Sequence, residues 1–385
     1  MQLRSASVAL SLFFMSLEAR AGEPVVRASS EIGAYHDSFA TSVLTPSVTG
    51  RVEDAASGWQ GQARYLVDVV TAASPDVVAT ASPRWSETRH AGSASIGYKP
   101  RAIGGMLSGS TSYTPDYLSF GIAATGIVDL DDKHWTLSAT AGYARDTIGR
   151  TGTSFAAFSR TLETVSGALV ASRVLGPRTL GVVVADVVFE RGDGSKPYRY
   201  VPMFAPGDVS RVPRGASALA VASARIQARP LEQLPLRRER GALTLRIAHR
   251  FDGATLRIDE RLYGDTWGMA ASTTDVRALF DVGPRVVLGP TTRFHAQTAV
   301  GFYERAYTAS GPGDIPALRT GDRELGALVA ASAGGSLRVG LGGDEDPMGT
   351  WIGLLGDGTW TEIADALYVE RRWSALGALT FEARF

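Results

Sequence analysis

Apolar and polar residues alternate with a period of two through most of this chain. Trp59, Gly61, Ala63, Tyr65, Val67 and Val69 fall on one side of an extended segment, and Gln60, Gln62, Arg64 and Asp68 on the other. Successive side chains of a strand point to opposite faces, so the pattern predicts strands with one oily and one wet face. The division recurs in Trp135, Leu137, Ala139, Ala141 and Tyr143 against His134, Thr136, Ser138 and Thr140. It returns in Leu243, Leu245 and Ile247 against Thr244, Arg246 and Arg250, and in Phe294, Ala296, Thr298, Val300 and Phe302 against Arg293, His295 and Gln297. No segment beyond the N-terminus carries a helical repeat of convincing length, and no apolar run there reaches the roughly 20 residues of a helical membrane span.

Such strands line either a soluble sandwich or a membrane barrel. The alternating segments run to roughly ten to thirteen residues, which suits a tilted span of hydrocarbon better than a soluble strand of about five or six. Aromatic residues gather near segment ends, as with Tyr113 and Tyr117, Trp135 and Tyr143, Tyr263 and Trp267, and Tyr303 and Tyr307, where girdles meet headgroups. The last residues alternate and close on Phe381 and Phe385, an arrangement that resembles the C-terminal strand read by outer-membrane assembly machinery. Strands in hydrocarbon must satisfy every backbone donor and acceptor from neighbours, and only closure leaves no bare edge. The reading is therefore all-β: a closed antiparallel transmembrane β-barrel. Alternating runs counted from Ser42 to the end number about fourteen to eighteen, and even numbering favours about sixteen. Asp252-Gly253, Gly264-Asp265 and Gly283-Pro284 mark hairpin turns. Tracing back from a last strand that ends in the periplasm puts the long connection 192–215 on the periplasmic side.

The N-terminus adds a destination. Arg4, an apolar run over residues 5–17 and the triplet Ala19-Arg20-Ala21 form the pattern of a secretory signal peptide. Residues 1–21 are expected to be cleaved, leaving residues 22–385 as one barrel domain in the outer membrane of a bacterial cell. With 44% apolar residues disorder is excluded, while 20% charged residues fall below the usual quarter for soluble domains. The 39 basic residues balance 39 acidic ones, so no global field draws nucleic acid. Zero cysteines remove disulfides and thiolate metal sites.

Candidate chemistry is sparse. His36, His90, His134, His249 and His295 lie scattered without ligand spacing, and no catalytic or metal constellation or cofactor motif is expected. The acidic turns at residues 129–132 and 343–346 do not match the spacing of an EF-hand loop. The run Arg237-Arg238-Glu239-Arg240 reads as a solvated loop or a contact for lipopolysaccharide phosphates. The most informative polar face holds Thr255, Arg257, Asp259 and Arg261 between Leu256, Ile258 and Leu262. With Arg246 and Arg250 these form the candidate lumen lining, where mixed charge sets ion preference. Glu260 breaks the apolar face and is expected near an interface or a bend.

Residues 65–75, 115–119 and 259–267, and further matches from Arg293 to Tyr303, are similar to segments of a bacterial outer-membrane family catalogued as domain of unknown function 3570. The resemblance spans most of the mature chain. It implies an outer-membrane barrel and transfers no reaction or ligand to a named residue. The leading function is passive or facilitated passage of small solutes. The alternatives are a plugged structural or surface-interaction barrel, whose long loop offers Tyr198, Arg199 and Tyr200 to a partner, and, third, an outer-membrane enzyme. Lipid, lipopolysaccharide and the barrel assembly machinery are the expected partners.

Overall fold

The computed structural model describes residues 24–72, 85–311 and 313–385; the expected signal peptide, residues 1–21, lies outside them. Sixteen long strands close into one barrel. They are β1 (Val25–Asp37), β2 (Ser42–Asp54), β3 (Trp59–Ala72), β4 (Trp85–Tyr98), β5 (Ile103–Thr114), β6 (Tyr117–Leu130), β7 (Trp135–Ile148), β8 (Arg160–Gly176) and β9 (Thr179–Gly192), then β11 (Arg237–Phe251), β12 (Ala254–Asp265), β13 (Ala270–Asp281), β14 (Val286–Gln297), β16 (Leu328–Gly340), β17 (Thr350–Ile363) and β18 (Arg371–Arg384). Two short strands, β10 (Met203–Phe204) and β15 (Tyr307–Thr308), pair in parallel outside the barrel. Each long strand is antiparallel to its neighbours in chain order, and β18 returns to β1 in a register that sets Arg27 opposite Arg384 and Ser30 opposite Phe381. Closure leaves every strand hydrogen-bonded on both edges, as a span of hydrocarbon demands.

Pairs that reach over an intervening strand identify the inner face, because side chains converge only on the concave side of a curved sheet. Arg261 of β12 donates to Asp186 of β9 across β11 at 2.9 Å, and Thr291 of β14 donates to Asp357 of β17 across β16 at 3.1 Å. The opposite parity faces outward and is apolar: Ile32, Ile96, Leu107, Phe120, Leu169, Leu243, Leu262, Phe294, Leu354 and Leu379 are all exposed. A belt of this kind has no place in water and belongs against lipid. The Trp59 and Tyr98 rings, 4.6 Å apart, edge it near the chain termini, as does Trp135 under the Arg173 guanidinium at 4.8 Å. Tyr113 and Trp373 edge it at the other rim.

Both described chain ends lie at the same rim, where Phe385 N–H donates to Val26 O. Turns at this terminal rim are short, apart from residues 341–349. Gly253 (φ 78°) and Gly283 (φ 83°) take left-handed backbone in two of them, the conformation that glycine allows without a Cβ penalty. The predicted Gly264-Asp265 turn is displaced: both residues close β12, and the chain turns at residues 266–269 around Gly268 (φ 89°).

The long connections, residues 193–236 and 298–327, lie at the distal rim. This corrects the tracing of the connection 192–215 to the same side as the C-terminus, which the sequence reading took as periplasmic. Seven barrel strands (β11 to β14 and β16 to β18) follow it, an odd number, so it stands opposite the C-terminus. β1 begins at Val25, and the alternation through Thr298, Val300 and Phe302 lies beyond β14, which ends at Gln297.

Candidate functional site

The inner wall of β9 and β11 to β14 is a ladder of arginines and carboxylates. Arg246 grips Asp259 with Nε and Nη2 at 2.8 and 3.0 Å, and Arg257 holds the same carboxylate through Nε at 2.9 Å. Arg261 reaches Asp186, Arg250 pairs with Asp281, Arg240 with Glu190, and Arg238 with Asp265. Arg293 lies 3.2 Å from Asp275. Arg246, Arg250, Arg257, Asp259 and Arg261 therefore stand on one concave wall because they share the inward parity of two paired strands. Asp186 and Asp281, the partners of Arg261 and Arg250, and Asp275, the partner of Arg293, are not singled out by the sequence pattern. On β9 the inward parity also carries Val182, Val184 and Val188, so Asp186 stands alone among valines, with the next inward charge, Glu190, at the end of the strand.

The inner wall of β4 to β7 is different. Ser93, Ser95, Ser108, Ser110, Thr125, Ser138 and Thr140 face inward there, with Thr125 and Thr140 hydrogen-bonded at 2.9 Å. Between the two walls, β1 to β4 add Arg64 beside Glu31 and Arg89 against Asp68 at 2.7 Å. A charged wall thus faces one of small hydroxyl residues.

The distal connections fold into a cap. Phe204, Val212, Ala216, Val221 and Ala306 form one buried cluster, and Val201, Met203, Tyr307 and Ala309 a second. Ser217 caps the short helix α1 (Ala218–Ala224) by accepting from Ala220 N–H at 3.1 Å. Rim contacts fix the cap at separated points. Arg160 at the start of β8 donates to Ser195 O at 3.0 Å; Gly215 and Ala216 N–H donate to Ala366 and Leu367 O in the β17–β18 connection; Tyr198 donates to Asp116 in the β5–β6 turn at 2.7 Å. Those anchors lie far apart around the ring of strands, so the cap spans the mouth.

Inside the cap, Glu232 is fully buried and accepts from Arg199 at 3.1 Å, Thr320 at 2.6 Å and Lys196 N–H at 3.0 Å. Arg199 also donates to Asp322 at 2.8 Å. Burial opposes the charged form of Asp322, but the Arg199 guanidinium outweighs it and holds the carboxyl below its ordinary range. At Asp116 burial is likewise overcome, here by hydrogen bonds from Tyr198, Thr151 and Thr114. Tyr198 and Arg199, expected to greet a partner, are thus occupied internally, while Tyr200 is exposed with Arg229 over its ring at 5.3 Å.

Other sequence expectations fare variously. The Arg237-Arg238-Glu239-Arg240 run is no loop: it begins β11, with Arg238 and Arg240 turned inward onto Asp265 and Glu190. Glu260 lies neither at a rim nor at a bend. It sits midway along β12 on the outer face, accepting from Ser272 at 2.6 Å and from Thr274. Phe381 and Phe385 lie on the outward parity at the end of β18. His295 is hydrogen-bonded to Thr273 and Gln297, and His249 to Thr179. Among the described residues no group of three or more His, Cys, Asp or Glu side chains is gathered to hold a metal.

A family model described as "Protein of unknown function (DUF3570)" matches residues 18–344. No curated protein matches the sequence. Among solved structures, a bacterial polysaccharide outer membrane secretin superposes with a TM-score of 0.48 at 9% identity, over 94% of this chain and 98% of that one. OpdK of Pseudomonas aeruginosa, solved with vanillate, gives 0.44 at 5% identity, over 94% and 99%. The siderophore receptor PirA of Acinetobacter baumannii gives 0.43 at 10% identity, and the match spans 90% of this chain and 54% of that chain.

Proposed function

The chain belongs to the DUF3570 family, and from that premise we propose that it is a bacterial outer-membrane channel passing small polar solutes beneath a folded outer cap. The single observation carrying this reading is the opposition of the two barrel faces. The outer face is apolar, and the inner one bears charges and hydroxyls along most of its height. An inner surface of that composition is stable only when wetted or internally paired, and a sixteen-strand barrel is wide enough for an aqueous channel. In this reading the signal peptide directs export, Phe381 and Phe385 engage the assembly machinery, and lipid and lipopolysaccharide surround the belt. Arg246, Arg250, Arg257, Asp259 and Arg261 line the solute path, and the cap stands on the extracellular side.

A second reading has its own support. The cap spans the mouth and most arginines of the charged wall are paired, features that suit a closed barrel whose outer surface binds a partner.

Single-channel conductance in planar bilayers separates them, after a heat-modifiability gel has verified folding. Stable steps whose selectivity moves toward cations in Arg257→Gln or Arg261→Gln support the channel, because each change removes positive charge from the wall. A folded barrel that never conducts sinks it in favour of the closed form.

A further inference from the structure

Arg257, Arg277, Thr291, Gly334 and Asp357 follow one another in register across β12, β13, β14, β16 and β17, all on the inner face. Two arginines directly opposite in a sheet repel one another. Arg257 is held by Asp259, but Arg277 is exposed and makes no ion pair among the described residues. Asp275 and Asp281, its neighbours on the same face of β13, are engaged by Arg293 and Arg250. Asp357 at the other end of the row likewise has no cationic partner among the described residues. Its carboxylate fills the space over Gly334, where a Cβ would stand 2.1 Å from Oδ1, and accepts from Thr291 Oγ1 at 3.1 Å. It thus leans along the row toward Arg277, with the Thr291 hydroxyl between. Neighbouring strands stand about 4.8 Å apart, so the backbones of Arg277 and Gly334 are separated by about 10 Å.

We propose that this row is a binding site for a small zwitterionic solute of the amino-acid type. Arg277, with Arg257 beside it, takes the carboxylate; Asp357 takes the ammonium; Thr291 serves either end. Opposite charges left bare on a wall where neighbouring arginines are paired offer a dipolar ligand both its partners at once. A simple anion would meet the repulsion of Asp357, and a simple cation that of the arginines. The site deepens the channel reading and rests on it for access.

The test is equilibrium binding, by calorimetry, to the full chain folded in detergent. Glycine, β-alanine and γ-aminobutyrate are titrated alongside acetate and methylammonium. The expected result is saturable binding of at least one zwitterion and weaker binding of both singly charged controls. Arg277→Gln and Asp357→Asn should each weaken the zwitterion by about tenfold, the loss of one charge-assisted contact. Acetate binding as tightly as the zwitterions, with no effect of Asp357→Asn, overturns the proposal in favour of a plain anion site. Absence of zwitterion binding by the unaltered chain overturns it outright, whatever the variants do. Conductance is scored separately: a silent barrel that binds refutes the channel alone, and a conducting barrel that binds no zwitterion refutes the site alone.

Discussion

Glu260 sits on the outer face of β12 midway along the strand, with the hydroxyls of Ser272 and Thr274 as its hydrogen-bond partners. Hydroxyls satisfy the oxygens but do not neutralise the charge, and a lipid-facing carboxylate near mid-depth carries a cost. Glu260→Gln keeps an acceptor for one hydroxyl and removes the charge. We predict that it stabilises the barrel in lipid vesicles by about 1 kcal/mol, read from urea unfolding. Destabilisation would mean that the carboxylate has a cationic partner in the membrane. Asp259 presents the reverse case. Arg246 and Arg257 share it, so Asp259→Ala leaves two guanidiniums with no neutralising group. We expect a loss of about 1 kcal/mol, modest because both arginines are part-exposed to a screening lumen, together with a shift of any conductance toward anions. Unchanged selectivity would argue that the ladder does not border the ion path.

In the proposed channel, the cap is the element on which gating turns. Asp322 and Asp116 are both held below the ordinary carboxylate range, so their contribution is complete above the unfolded-state value of about 4 and fades as pH falls through the lower folded-state values. Acid should therefore loosen the cap and leave the barrel intact. The measurement is protease cleavage within residues 193–236 as a function of pH. Cleavage that rises toward alkaline pH instead would contradict the assignment. Tyr198→Phe removes the hydroxyl that joins the cap to Asp116 and to Thr151 across the rim. It should cost that anchor about 1 kcal/mol and raise cleavage at neutral pH while heat-modifiability is unchanged.

At the scale of the whole molecule, the cap and the barrel are held by different forces. The barrel closes through its own backbone ladder, and the cap through small clusters of buried side chains above it. Val201 N–H donates to Pro230 O, which brings the ends of the intervening segment together. Replacing residues 201–229 by a short Gly/Ser link should therefore yield a folded, heat-modifiable barrel with larger conductance steps. Failure to fold would show that the cap takes part in assembly. The two-residue period determined the strand character and the parity that puts Arg246, Arg250, Arg257, Asp259 and Arg261 on one face, because side-chain direction in a strand is a local property of the backbone, and segment length with the placing of aromatics pointed to a barrel. Which end each connection occupies was not local. It depends on the number of strands that follow, seven after the connection 193–236, and one strand more or fewer inverts it. Nor was the row from Arg257 to Asp357 legible, since it runs across strands rather than along one. Only closure and register, set by hydrogen bonds between residues far apart in the chain, bring Arg277 and Asp357 to the two sides of Thr291.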